Sequence, residues 1–107
     1  MTTFDKREEG FEKKFAHDEE LKFKAEARRN RLLGLWAAEK QGISGDAAKD
    51  YARTVVATEF EAAGHAGVVR KVAADLAAKG VAITEAQIRV KMDELMAQAI
   101  AEVKAGT

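Results

Sequence analysis

A chain of 107 residues is long enough for one domain with a small core, and too short for a two-domain enzyme. Apolar residues make up 47% and charged residues 34%, a balance typical of a soluble helical domain. Eighteen basic side chains balance eighteen acidic ones, so the net charge is zero. The protein as a whole therefore has no positive electrostatic potential that would attract nucleic acid or an anionic membrane. The chain has no cysteine, so disulfides, thiolate metal sites and cysteine nucleophiles are excluded.

The sequence carries no feature that points to a membrane or to secretion. No apolar run approaches the roughly 20 residues of a membrane span. The N-terminus begins with charged residues instead of the apolar stretch of a signal peptide. We therefore expect a cytoplasmic protein without direct membrane insertion.

Residues 1–17 form a segment too charged to lie in a core, yet they contain three large aromatic rings. A helix here would be marginal in isolation, since Gly10 lies in its middle. Phe4, Phe11 and Phe15 are seven and four positions apart, which would place them on one face of a helix. Such a stripe is typical of an arm that docks into a partner's groove. The spacing fits equally well rings that fold back over the rest of the chain.

The first two helices are predicted in residues 18–63. The first runs from Asp18, a possible cap, to Lys40, and Gly34 lies unusually inside it. Its apolar residues are Leu21, Leu32, Leu35 and Trp36. The second begins near Ser44 or Asp46. Its apolar side comprises Ala48, Tyr51, Ala52, Val55, Val56, Phe60 and Ala63.

Two further helices follow. The third is predicted from His65 to Lys79, and the fourth begins at Thr84, which forms a capping-box pattern with Gln87. The apolar stripe of the third is Val69, Val72, Ala73 and Leu76, and that of the fourth is Ile88, Met92, Leu95, Met96, Ala99 and Val103. The predicted helix stops are Gly42, Gly64, Gly80 and Gly106.

Short connections make sequential helices antiparallel neighbours, so the pattern predicts an all-α, antiparallel four-helix bundle. The bundle comprises residues 18–107, and residues 1–17 form a flexible N-terminal arm. The short apolar run at residues 81–83 is a connector between helices and not a strand.

The two histidines, His17 and His65, do not indicate an enzyme or a metal site. His17 precedes the acidic residues 18–20, but adjacent helical positions point in different directions and would not converge on one ion. Neither histidine stands at a recognisable motif spacing from a serine, aspartate or glutamate. We expect no catalytic residue, no metal site and no required cofactor.

A purine nucleotide can be bound without catalysis, and one basic cluster is a candidate for this. Arg28 and Arg31 share one side of the first helix, while Arg29 shares a side with Trp36, whose ring can stack on a base. No P-loop motif is present. A solvated basic face and a core tryptophan are the commoner roles of such residues.

Two alternatives concern the other basic residues. The start of the third helix, GHAGVVRK, offers backbone N–H groups to an anion with Arg70 and Lys71 nearby, although a simple helix-to-helix turn explains it too. The basic residues between 22 and 31 also resemble a nucleic-acid patch, but interrupting glutamates and the absence of a recognition motif argue against nucleic acid.

The residues from Phe4 to Lys40, FDKREEGFEKKFAHDEELKFKAEARRNRLLGLWAAEK, resemble the ζ (zeta) subunits, inhibitors of the F-type ATP synthase of alphaproteobacteria. The later stretch ITEAQIRVKMDEL also fits, and the resemblance covers essentially the full chain. It implies a four-helix bundle with a mobile arm that inserts into the catalytic head and blocks rotation in the hydrolysis direction. It also implies ADP or ATP as a regulatory ligand of the bundle.

On this interpretation the arm docks in the synthase head, at the cytoplasmic face of the inner membrane. Its three phenylalanines are the expected anchors, and Arg7 and Lys14 are the charges expected to pair with the cleft wall. The predicted nucleotide-binding residues are Arg28, Arg29, Arg31 and Trp36. The alternative function is a non-catalytic helical adaptor or structural interaction protein.

Overall fold

The computed structural model describes residues 19–61 and 63–106, and within these ranges the chain forms four α-helices and no strand. Their bounds are α1 Glu19–Lys40, α2 Gly45–Thr58, α3 Gly64–Ala78 and α4 Glu85–Lys104. The predicted all-α four-helix bundle is confirmed. The predicted arm, residues 1–17, and the Asp18 cap lie outside the described residues.

Two ion pairs between distant parts of the chain show the relative directions of the helices. Arg29, in the first half of α1, pairs with Glu59, which follows the last residue of α2. Arg28 pairs with Glu102 near the end of α4. The helix α1 is therefore antiparallel to both α2 and α4, and it also contacts α3. One helix thus packs against all three of the others.

The core is built from aliphatic side chains of all four helices. Its members are Leu33, Ala37, Val55, Val68, Val69, Val72, Leu76, Ile88, Met92 and Leu95. The stripes predicted for the third and fourth helices supply six of these ten residues. The apolar residues named for the first helix are not the ones it contributes to the core, because Leu33 is fully buried whereas Leu32 and Trp36 only pack against the core.

The buried positions of α1 explain this difference. They are Ala25, Arg29, Asn30, Leu33, Gly34, Ala37 and Ala38. At about 3.6 residues per turn these positions cover more than half of the helix circumference. A helix that packs against three neighbours has no single apolar stripe, so the periodicity that marks a surface helix does not identify its core residues.

The helix ends agree with the sequence at three of the four predicted glycine stops. Gly42 and Gly80 have φ of 78° and 74°. Each glycine lies two residues beyond the end of its helix, and its N–H donates to a carbonyl of the last helical turn, as in a Schellman motif. The fourth helix begins with the predicted capping box: Gln87 N donates to Thr84 Oγ1 at 3.1 Å, and Thr84 N donates to Gln87 Oε1 at 2.8 Å.

The prediction for the end of α2 was wrong. The helix ends at Thr58 and Phe60 is 67% exposed, although the apolar stripe had been extended through Phe60 to Ala63. The backbone N–H groups of residues 59–61 each donate to the carbonyl three residues earlier in the chain. This spacing replaces the α-helical pattern by a tighter turn. Gly64 begins α3 and does not close α2.

A polar contact joins α2 to α3. The Tyr51 hydroxyl donates to Asp75 Oδ2 at 2.8 Å, and Lys71 Nζ donates to the same oxygen at 3.0 Å. The Lys71 ammonium also lies 5.3 Å from the centre of the Tyr51 ring. Burial, and then the hydrogen bond to Asp75, raises the pKa of Tyr51 well above the usual tyrosine value.

The helices α1 and α2 approach each other most tightly at Gly34. A Cβ atom at this position would lie 2.6 Å from Ala52 Cα, 3.0 Å from Ala52 Cβ and 3.3 Å from Val55 Cγ2. A contact of 2.6 Å with a backbone atom cannot be relieved by rotating a side chain. The glycine is required here because only a hydrogen fits between the two helices.

We predict that Gly34→Ala destabilises the bundle. In an exposed helix this substitution is favourable by about 1 kcal/mol. Here the added methyl must push α2 away from α1, so we expect the free energy of unfolding to fall by about 1–3 kcal/mol. Urea unfolding followed by circular dichroism measures this difference.

Gly67→Ala in α3 provides the matched control. Its added Cβ would meet only side-chain atoms, Ala63 Cβ at 3.0 Å and Thr58 Cγ2 at 3.7 Å. We therefore expect a smaller loss than at Gly34. A Gly34→Ala variant as stable as the unmodified chain would contradict the close approach of α1 and α2.

Candidate binding site

A hollow of about 540 Å³ opens between the first half of α1, the second half of α2 and the end of α4. Its volume lies in the range of small-molecule sites. The apolar lining includes Leu21, Phe23, Ala27, Val56 and Val103. The basic lining comprises Lys24, Arg28 and Arg31. Apolar side chains next to three cations fit a ligand that has an apolar body and an anionic group.

A second hollow, of about 200 Å³, adjoins the first at Arg31 and Val56. It is also lined by Lys49, Ala52 and Arg53. We call the two hollows together the basic trough. Sequence reasoning did not include Lys49 and Arg53, although their spacing of four residues on α2 signals a shared face.

Acidic residues near the rim offset part of this charge. Lys24 pairs with Glu20 at 3.2 Å, and Arg53 pairs with Asp50 at 2.6 Å. Both are pairs within one helix between exposed side chains, so each contributes little to stability. An anionic ligand can therefore compete for these cations at little energetic cost.

Arg28 is held by α4. Its Nη1 donates to Glu102 Oε1 at 3.0 Å, and Gln98 Nε2 donates to the other carboxylate oxygen at 2.8 Å. The hydrogen bond from Gln98, and then that from Arg28, holds the pKa of Glu102 below its ordinary value. The ion pair links α1 to the end of α4 and fixes the guanidinium at the edge of the basic trough.

Arg29 lies on another side of α1 and is only 5% exposed. Its Nη2 donates to Glu59 Oε1 at 3.4 Å, and its Nε donates to Asn30 Oδ1 at 3.2 Å. A buried guanidinium needs such acceptors because an uncompensated charge in the interior is very unfavourable. Arg29 therefore ties α1 to the α2–α3 connection and does not line the basic trough.

Trp36 lies away from the basic trough, partly buried against the core. The Lys91 ammonium of α4 is 5.9 Å from the centre of its ring. The structure thus brings together two of the four predicted nucleotide-binding residues, Arg28 and Arg31, and places Arg29 and Trp36 elsewhere. Their assignment to a nucleotide site stays a prediction.

The alternative anion site, at the start of α3, has basic residues with other contacts. Lys71 donates to Asp75 at 3.0 Å, and Arg70 Nε donates to the Ala66 carbonyl of its own helix at 3.4 Å. His65 is exposed. In residues 19–61 and 63–106, no group of three or more His, Cys, Asp or Glu side chains is arranged to hold a metal ion.

Comparison with known proteins identifies the family. A family model described as ATPase inhibitor subunit zeta matches residues 1–102. The chain belongs to this family. Its members are inhibitors of the ATP synthase, so the chain has an inhibitory role and binds that enzyme. The ζ resemblance read from residues 4–40 is confirmed.

A solved structure supports the family fold. A protein structure determined by solution NMR matches with 50% sequence identity and a TM-score of 0.71, covering 81% of this chain and 99% of its own. Comparison with curated proteins gives no significant match. Among the described helices, none is long and apolar enough to cross a membrane.

The different positions of Arg29 and Arg31 predict different effects of mutation on stability. Arg29→Met would leave Glu59 and Asn30 without their shared donor, so we expect the free energy of unfolding to fall by about 1–3 kcal/mol. Arg31→Met changes an exposed residue on the rim, and we expect a change within about 0.5 kcal/mol. Urea unfolding of both variants measures the difference. Equal losses in both would contradict the buried position of Arg29.

Proposed function

We propose that the chain inhibits ATP hydrolysis by inserting its N-terminal arm, residues 1–17, into the catalytic head of the F-type ATP synthase, without catalysis of its own. The observation that carries this proposal is the family match, which includes the arm as well as the bundle. The proposed location is the cytoplasmic face of the inner membrane, where the synthase head lies.

The residues of the arm supply a physical reason for docking. Holding a segment in one conformation costs entropy, which buried anchors must offset. Phe4, Phe11 and Phe15 are the proposed anchors, each contributing roughly 1.5–3 kcal/mol if fully buried. Arg7 and Lys14 are proposed to pair with acidic groups of the cleft wall, which gives register more than affinity.

The arm proposal predicts that Phe11→Ala combined with Phe15→Ala weakens inhibition of the cognate synthase head by about a hundredfold or more, because two buried rings are lost. Inhibition of ATP hydrolysis as a function of chain concentration measures this effect. Val90→Ala, at an exposed apolar position of α4, is the control and should inhibit normally. Unchanged inhibition by the double variant would contradict the anchor role, and circular dichroism checks that the bundle stays folded.

We further propose that ADP or ATP binds the basic trough as a regulatory ligand. Phosphate oxygens would accept hydrogen bonds from Arg28 and Arg31, while Phe23 offers a ring on which a base can stack. Arg29 and Trp36 belong to the predicted set but lie away from the trough, so the proposal rests on the first two residues. The nucleotide regulates inhibition only if it binds the docked and undocked forms with different affinity.

The nucleotide proposal predicts that ADP shifts backbone resonances along the first half of α1 and around Val56 and Val103. Arg31→Met should weaken binding by about tenfold or more, since a charge-assisted contact is lost. Arg70→Met, at an exposed arginine of α3, is the matched control and should bind normally. Shifts confined to α3 and the first half of α4 would contradict the basic trough as the site.

The second candidate function is a helical adaptor that binds a partner through the bundle. The observation that favours it is an exposed aromatic pair, Phe23 and Phe60, whose ring centres are 5.7 Å apart. Deleting residues 1–17 separates the two functions. An inhibitor loses its effect on ATP hydrolysis, whereas an adaptor keeps its partner.

A further inference from the structure

A small pocket of about 20 Å³ lies between α1 and the α2–α3 connection, next to the basic trough. Phe23 and Phe60 line one part of it, and their rings meet at an interplanar angle of 46°. Asn30 and Glu59 line another part. The pocket therefore combines an aromatic cover with two strongly polar side chains.

Two polar atoms of these side chains are buried without a hydrogen-bond partner in residues 19–61 and 63–106: Asn30 Nδ2 and Glu59 Oε2. The asparagine is 1% exposed, so solvent does not compensate its amide. One orphaned atom is a donor and the other is an acceptor. Buried groups of this kind are nearly always satisfied in folded proteins, by the protein or by ordered water.

Arg29 fixes the orientation of both groups. Its guanidinium has only donors, so the Asn30 atom 3.2 Å from its Nε is the carbonyl oxygen, and the amide nitrogen faces away. The same arginine donates to Glu59 Oε1, which leaves Oε2 as the remaining acceptor. A flip of the amide would turn its donor nitrogen toward the donor Arg29 Nε, and a rotation of the carboxylate only exchanges its two oxygens, so neither change satisfies both groups.

We propose that this pocket is a binding site for one ordered water molecule, which accepts a hydrogen bond from Asn30 Nδ2 and donates one to Glu59 Oε2. A cavity must offer roughly 10–15 Å³ to hold a water, so the pocket has room for one molecule and not for two. Water also has the required chemistry, since it accepts and donates at once. Glu26 also lines the pocket, and a neutral water leaves the pairing of the Arg29 guanidinium with Glu59 unchanged.

The aromatic pair acts as the lid of this site. Phe23 and Phe60 are 54% and 67% exposed, and both line the pocket. The water connects α1 to the α2–α3 connection at the point where Arg29 already joins them. The lid slows its exchange with solvent, so the water is a long-lived part of the structure.

Water-to-protein NMR on the full-length chain, labelled with nitrogen-15, tests the site. Asn30 is the only asparagine in the chain, so its side-chain amide signals are readily assigned. We expect its cross-peaks to water to have opposite signs in laboratory-frame and rotating-frame spectra, which identifies bound water and not proton exchange. The exposed Gln98 amide is the internal control and should not show this sign pattern.

Phe60→Ala tests the lid, and its exposed position makes it compatible with folding. We expect the sign pattern at Asn30 to be lost as the water begins to exchange rapidly, whereas Val90→Ala leaves it unchanged. A crystal structure at high resolution should show a density peak about 2.7–3.2 Å from both orphaned atoms. The proposal is overturned by an empty pocket, by a protein group from residues 1–18 or 62 bonded to either atom, or by an unchanged pattern in Phe60→Ala.

Discussion

The close approach of α1 to α2 at Gly34 is the constraint on which the bundle depends. With only a hydrogen between Gly34 and the Ala52 backbone, α1 lies deep enough to reach all three other helices. That position buries more than half of its circumference, including polar residues that an outer helix would expose to water. The glycine therefore determines the burial of Arg29 and Asn30, because a wider spacing would open their surroundings to solvent.

The burial of Arg29 in turn organises the α2–α3 connection. Its pairing with Glu59 holds the residues that follow α2 against α1, and the chain leaves the helical path at Thr58. Phe60 then lies outside the core and packs on Phe23 instead. Arg28 and Arg31 lie on another side of the same helix and border the basic trough. Of the three arginines in this part of α1, Arg29 thus has a structural role, whereas Arg28 and Arg31 border the basic trough.

The sequence was sufficient for the parts of the fold that depend on local patterns. The α3 and α4 stripes were predicted because each of these helices buries one face, and the Thr84 cap depends only on neighbouring residues. The α1 core was missed because burial on several sides removes the periodicity. The basic trough could not be predicted from the sequence, because Lys49 and Arg53 come close to Arg31 only when α2 packs against α1. The orphaned atoms of Asn30 and Glu59 have no sequence signal.

Under the proposed nucleotide function, a ligand in the basic trough would contact the part of α1 that follows residues 1–18. Leu21 and Lys24 line the trough within the first two turns of α1, directly after the segment that contains residues 1–18. The proposed ligand would therefore bind next to the point where residues 1–18 join the helix. Because Arg28 also joins α1 to Glu102, the same proposed ligand would contact a residue that is paired with the end of α4. Regulation by this route needs only different ligand contacts in the docked and undocked forms, while the tight α1–α2 packing stays unchanged.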